Sequence, residues 1–107
     1  DQQMTDAQWA KQSAGLIKSL ADPTRLRIVD TLIDGEKNVG EIATVLGVEI
    51  VNVSHHLQVL RQAGVVTNEK RGRFVAYSLN PEVALTTGKV TAIECPGCRI
   101  MNSHGTA

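Results

Sequence analysis

A mainly α-helical domain closed by one β-hairpin is the fold class this sequence predicts. Three observations carry that expectation. Apolar residues recur at helical spacing through residues 6–63. Two of the resulting helices lie only three or four residues apart, around Gly47. The hydrophobic period then drops from about 3.6 to about 2 after Gly64. A chain of 107 residues accommodates one domain, with a core modest enough that burial against a second copy is expected.

Residues 6–21, DAQWAKQSAGLIKSLA, form the first helix. Leu16, Trp9, Leu20, Ile17, Ala10, Ala21 and Ala14 fall on a continuous apolar arc of roughly 160°, where packing on one side needs about 100°. Two readings stay open: the helix touches a partner as well as its own core, or it sinks deeper into one core. Residues 22–34, DPTRLRIVDTLID, start a second helix. Asp22 caps it, and Pro23 takes the first position, where no amide donor is needed. Leu26, Val29, Leu32 and Ile33 supply its expected buried stripe, and Gly35 ends it. A short helix over 39–46 has Ile42, Val45 and Leu46 as apolar positions and breaks at Gly47. Another runs over 50–63 and stops at Gly64. Two helices so closely joined make a helix-turn-helix.

The hairpin follows. Val65 to Arg71 is one strand and Arg73 to Leu79 the other, with NEKRGR at the turn, Gly72 at the tip and Asn80-Pro81 closing it. Beyond it the periodicity is poor. Residues 81–85 read as a helical turn, and 89–94, KVTAIE, as extended chain.

Composition narrows the function. Trp9, Phe74 and Tyr77 are the only aromatics, too few for a platform that stacks single-stranded bases. Net charge is zero but unevenly spread. Residues 1–47 hold five Lys/Arg and seven Asp/Glu, a balance of −2; residues 48–79 hold four and two, a balance of +2. No apolar run approaches the roughly 20 residues that span a bilayer. No leader is legible, and two cysteines are too few for a secreted disulfide scaffold. The expected location is the cytoplasm, with no membrane partner. No nucleophile–base pair, phosphate loop or acid pair is visible, so an enzyme is not expected.

His55 and His56 sit inside VSHHLQVLRQAGVV, residues 53–66. With Val53 as origin, Leu57, Leu60 and Gly64 lie within about 40° and Ile50 at about 60°, all towards the core. His55, Val51, Gln58 and Gln62 lie opposite, flanked by Asn52 and Ser54, and His56 is on the margin. Adjacent helical residues point about 100° apart, so the two histidines do not chelate one ion together. His56 reads as a half-buried histidine making a structural hydrogen bond. Asn52, Ser54, His55 and Gln58 offer donors and acceptors suited to base edges and phosphates. Lys70, Arg71 and Arg73 cluster at the hairpin tip, where a basic finger reaches a neighbouring phosphate or the minor groove. These seven residues are the candidate DNA-binding set.

DPTRLRIVDTL, GEIATVLGV, VSHHLQVLRQAGVV and KRGRFVAYSL together resemble the ArsR-type winged-helix transcriptional repressors, over roughly residues 15–80. The resemblance implies one winged helix-turn-helix domain over 1–107. It comprises a dimerisation helix (1–21), a helix-turn-helix (39–64), a wing (65–79) and a tail (80–107) associated with the dimer. It implies a homodimer that binds double-stranded DNA at an imperfect palindrome. Ser54, His55 and their neighbours would face DNA, and Arg71 and Arg73 would lie on the wing. The sequence departs from the family at the start of the recognition helix. A small polar residue and Gln are common there, whereas this chain has Glu49, Ile50 and Val51. Glu49 repels phosphate unless it caps the helix, and Val51 offers a methyl surface to thymine methyls.

Many members of this family release DNA on binding a metal or an oxidant. The helix before the recognition helix has no cysteine, and residues 80–94 have no His or Asp, so two family sensor sites are absent. Cys95-Pro96-Gly97-Cys98 remains. It reads as an inert Pro-Gly turn, as a thiol redox pair, or as a site for zinc or another thiophilic metal completed by a second copy or by His104. The alternative to a DNA-binding repressor is therefore a thiol-redox or metal-responsive module acting through Cys95 and Cys98. Its winged helix would contact protein through Val51 and Val59.

Overall fold

Each helix begins where a side chain satisfies its first free amides. In the computed structural model, which describes residues 5–85, 92–95 and 98–101, α1 (Asp6–Leu20) is capped by Thr5. The Thr5 hydroxyl accepts from the Gln8 amide at 3.1 Å while the Gln8 side chain accepts from the Thr5 amide at 3.0 Å. Asp22 caps α2 (Pro23–Leu32) by accepting from the Arg25 amide at 3.1 Å, with Pro23 just inside as expected. Asn38 and Glu41 form the same reciprocal pair at the start of α3 (Val39–Leu46). α4 (Ile50–Gln62) differs: Glu49 occupies its cap position and makes no capping hydrogen bond through its side chain.

α3 ends on Gly47 at φ 71°, and its amide donates to the Ala43 carbonyl at 2.8 Å. A residue with a Cβ is strained in that conformation, so glycine permits the tight turn into α4. α4 ends with the Val65 amide donating to the Leu60 carbonyl at 2.9 Å, which reverses the chain into the hairpin. β2 (Val66–Arg71) and β3 (Phe74–Leu79) pair antiparallel, from Val66 opposite Leu79 to Arg71 opposite Phe74. Gly72 and Arg73 form a two-residue turn with Gly72 at φ 62°. The first strand reaches Arg71 as expected, whereas Arg73, expected to open the second, lies in the turn and β3 starts at Phe74.

The sequence did not disclose β1 (Lys37–Asn38), which pairs with β3 and gives the sheet order β1-β3-β2. Two residues carry no readable period. Of residues 81–85, read as a helical turn, the first part is a single turn closed by the Val83 amide donating to the Asn80 carbonyl at 2.9 Å. Ala84–Leu85 instead form β4, which pairs with β5 (Ala92–Cys95), and β5 pairs with β6 (Cys98–Met101). The extended reading of KVTAIE holds for residues 92–94, while residues 89–91 lie outside the described set.

The core is one cluster. Ile28 and Val29 of α2, Ile42 of α3, Val53, Leu57 and Leu60 of α4, and Val65 and Val66 at the hairpin base are all essentially inaccessible. α2 turns Ile28 inward rather than Leu26, which is exposed. Ile50 is exposed too, against the sequence-based expectation, and so is Val45. Each stands near a helix end bordering the α3–α4 turn, where no further layer covers it. Among the described residues, no helix is long and apolar enough to cross a membrane.

Truncating Leu57 should leave a cavity under α4. Leu57→Ala should destabilise the fold by about 2–5 kcal/mol, read from the urea midpoint.

Candidate nucleic-acid interface

With Val53, Leu57 and Leu60 turned inward, the intervening residues of α4 face solvent. Asn52, Ser54, His55 and Gln58 are all exposed, as are Arg61 and Gln62. Val51 is 81% exposed. Val59 is half-buried, so it presents less apolar surface than the sequence implied.

His56 has the structural role its position implied. Its Nδ1 lies 3.1 Å from Nη1 of Arg25. A guanidinium only donates, so Nδ1 accepts and the ring proton sits on Nε2. Arg25 also donates through Nε to the Ser19 carbonyl at the end of α1. One side chain of α2 therefore ties α1 to the recognition helix. Asp22 closes this corner. The Arg25 amide donates to its carboxyl, and the nearby Arg25 guanidinium adds to the effect of holding its pKa below the usual carboxylate value. His55 meets the edge of the His56 ring, centroids 5.6 Å apart, while remaining exposed.

Arg27 reaches in the other direction. Its Nη2 donates to the Leu46 carbonyl at 2.9 Å, capping the end of α3 beside the helix-turn-helix turn. Sequence periodicity could not reveal Arg25 or Arg27 as fasteners, because their partners lie 31 and 19 residues away.

Lys70, Arg71 and Arg73 all sit exposed at the wing tip, but in different company. Arg71 makes a two-pronged contact with Glu36, Nε to Oε2 and Nη2 to Oε1 both at 3.1 Å, and its Nη1 lies 3.2 Å from Glu69. Its donor fork faces carboxylates 35 residues away in the chain and next door in β2. Arg73 instead lies over the Phe74 ring, 5.5 Å from its centroid. Arg73 is exposed, and no carboxylate pairs with it among the described contacts. Glu36 is the member of this cluster that sequence reasoning missed, since it stands in the loop before β1.

Cys95 ends β5 and Cys98 begins β6, directly opposite each other in register. Among the described residues, no three His, Cys, Asp or Glu side chains gather in a way that could hold a metal ion. His104 lies outside the described residues.

Comparison with known proteins agrees with this geometry. Residues 22–68 match the family model described as bacterial regulatory protein, arsR family. The transcriptional repressor SdpR of Bacillus subtilis is 40% identical over 68 residues, 64% of this chain and 76% of that protein. The HTH-type transcriptional regulator NmtR of Mycobacterium tuberculosis is 42% identical over 74 residues, covering 69% of this chain and 62% of NmtR. Among solved structures, a homodimeric winged helix-turn-helix DNA-binding domain from Mycobacterium bovis is similar with a TM-score of 0.69 at 34% identity. That match covers 77% of this chain and 76% of the other.

The Glu36–Arg71 contact should respond to acid. Hydrogen bonding from Arg71 holds the Glu36 carboxyl below its ordinary value of 4.5. Its contribution is therefore complete above that pH and drains away as pH falls through the lower, folded value. Amide resonances of residues 70–74 should titrate below pH 4.5, and Glu36→Gln should abolish that transition.

Proposed function

Since the chain belongs to the arsR family of bacterial regulatory proteins, we propose that this winged helix-turn-helix regulator is a repressor acting as a homodimer on an imperfectly palindromic operator. It is a DNA-binding regulator and not an enzyme, as its relatives are transcriptional regulators. The carrying observation is the joint exposure of Asn52, Ser54, His55 and Gln58 on α4 beside a wing tip bearing Lys70, Arg71 and Arg73. The helix face suits the major groove and supplies base-edge partners, while the wing cations suit flanking phosphates.

Dimerisation through α1 is supported by surface that this chain leaves uncovered. Leu16 and Leu20 enter the core, but Trp9 remains 37% and Ile17 41% exposed on the same wide arc. A second copy seated there would shield both, and the tail (80–107) would join that interface. Two α4 helices would then stand about 34 Å apart, one turn of duplex. The setting is the cytoplasm, where the operator is.

A second reading concerns the signal. The register of Cys95 against Cys98 supports this pair as the responsive element. It would act through oxidation to a disulfide by a peroxide or an exchanging disulfide, the two thiols giving up two protons and two electrons. Alternatively it would capture a thiophilic ion such as zinc, for which the pair supplies two of four positions and a second copy or His104 the rest.

Binding measured by fluorescence anisotropy should weaken steeply with salt, each lost phosphate contact lowering the log–log slope by about 0.9. Arg73→Ala should lower both affinity and slope on all sequences. Arg71→Ala should do so less, because its charge is already shared with Glu36 and Glu69. His55→Ala should change sequence preference more than slope; a uniform loss on every duplex would remove base reading by His55. Intact mass after purification without reductant should show loss of two hydrogens or gain of a metal. An unmodified dithiol under both oxidant and zinc would eliminate the cysteine reading.

A further inference from the structure

The apolar start of the recognition helix is the feature left without a role by the contacts described so far. Ile50 is 56% and Val51 81% exposed, whereas Val53, two residues on, is fully buried. Exposure there is not a consequence of fraying around a failed cap. The Val53 amide donates to the Glu49 carbonyl at 3.1 Å, so the first turn is closed. Val51 is placed one turn before His55 and two before Gln58, on the same outward face. It therefore belongs to the row of side chains offered to DNA, not to the core or to the wing.

We propose that Val51 is a specificity-determining residue that reads a thymine through its 5-methyl group in the major groove, with Ile50 flanking it. This rests on the DNA-binding reading above. Valine has neither donor nor acceptor, so it cannot pair with the polar atoms on any base edge. Pressing it against them strips their water without replacement, which is unfavourable. The one apolar feature that the four natural bases display in the major groove is the thymine methyl. β-branching restricts a helical valine almost to one rotamer, so little side-chain freedom is lost on contact. The position is also apt, since the first residues of a recognition helix are those that reach base edges. Val51 rewards a T·A pair at its position and penalises the others.

The test begins with selection of duplexes from a random pool by the intact protein. Each thymine of the selected site is then replaced by uracil, symmetrically in both half-sites, and affinity is measured for the wild type and for Val51→Ala. One symmetric pair of replacements should weaken the wild type about fourfold per half-site, about 0.8 kcal/mol for one methyl group. The same replacements should leave Val51→Ala unaffected. Restoring a methyl as 5-methylcytosine in a C·G pair at that position should recover affinity over unmethylated cytosine for the wild type alone. The assignment is overturned if no uracil replacement weakens the wild type, or if Val51→Ala suffers the same loss. A pool that enriches no sequence would instead overturn the DNA reading itself, and point to the exposed apolar residues as a protein-binding surface.

Discussion

Burial of Val53, Leu57 and Leu60 against α2, α3 and the hairpin base orients α4, and the residues it turns to solvent follow from that orientation. Three inward positions on one helix leave no rotational freedom about its axis. Asn52, Ser54, His55 and Gln58 are then outward by geometry, because neighbouring positions differ by about 100°. The same cluster includes Val65 and Val66, so the strand leaving α4 is rooted in the core that orients the helix. Asn80 reinforces the joint. Its side chain donates to the Gly64 carbonyl at 2.8 Å and its amide to the Val65 carbonyl at 2.9 Å. Reading helix and wing are thus held as one body, which a protein needs if both are to engage one stretch of DNA.

The distribution of arginines follows a similar economy. Four guanidinium groups near the site do four different things. Arg25 spans α1 and α4, Arg27 closes the end of α3, Arg71 anchors the wing tip to Glu36, and Arg73 stacks on Phe74. A count of basic residues in 48–79 suggests a positive surface, yet part of that charge is answered locally by Glu36 and Glu69. The wing is consequently positioned by carboxylates before it meets phosphate. Arg71 already has carboxylate partners, whereas Arg73 lies over an aromatic ring. Two residues that look equivalent in KRGR thus stand in different surroundings.

Much of this was legible beforehand, for physical reasons. Helix limits were readable because Asp22-Pro23, Gly47 and Gly64 are local devices whose partners lie within a few residues. The α4 face was readable because its periodicity is strong. Ile50 escapes the periodic reading because periodicity assumes a neighbouring layer everywhere along a helix, and the end beside the α3–α4 turn has none. Leu26 was misread, and Ile28 overlooked, because only the packing of α1, α3 and α4 around α2 selects which of two adjacent apolar arcs turns inward. The Glu36–Arg71 and Arg25–His56 contacts left no trace in composition or spacing.

By itself, then, the order of residues determined the elements, the helix-turn-helix and the polar row on its second helix, since capping, turn conformation and hydrophobic period act over one or two turns of chain. Tertiary structure alone decided which wing arginine is pinned by carboxylates, that Arg25 is the partner of His56, and that Arg27 closes the end of α3. Those outcomes depend on surfaces meeting across 19 to 35 residues of separation, and no local rule anticipates where distant side chains arrive.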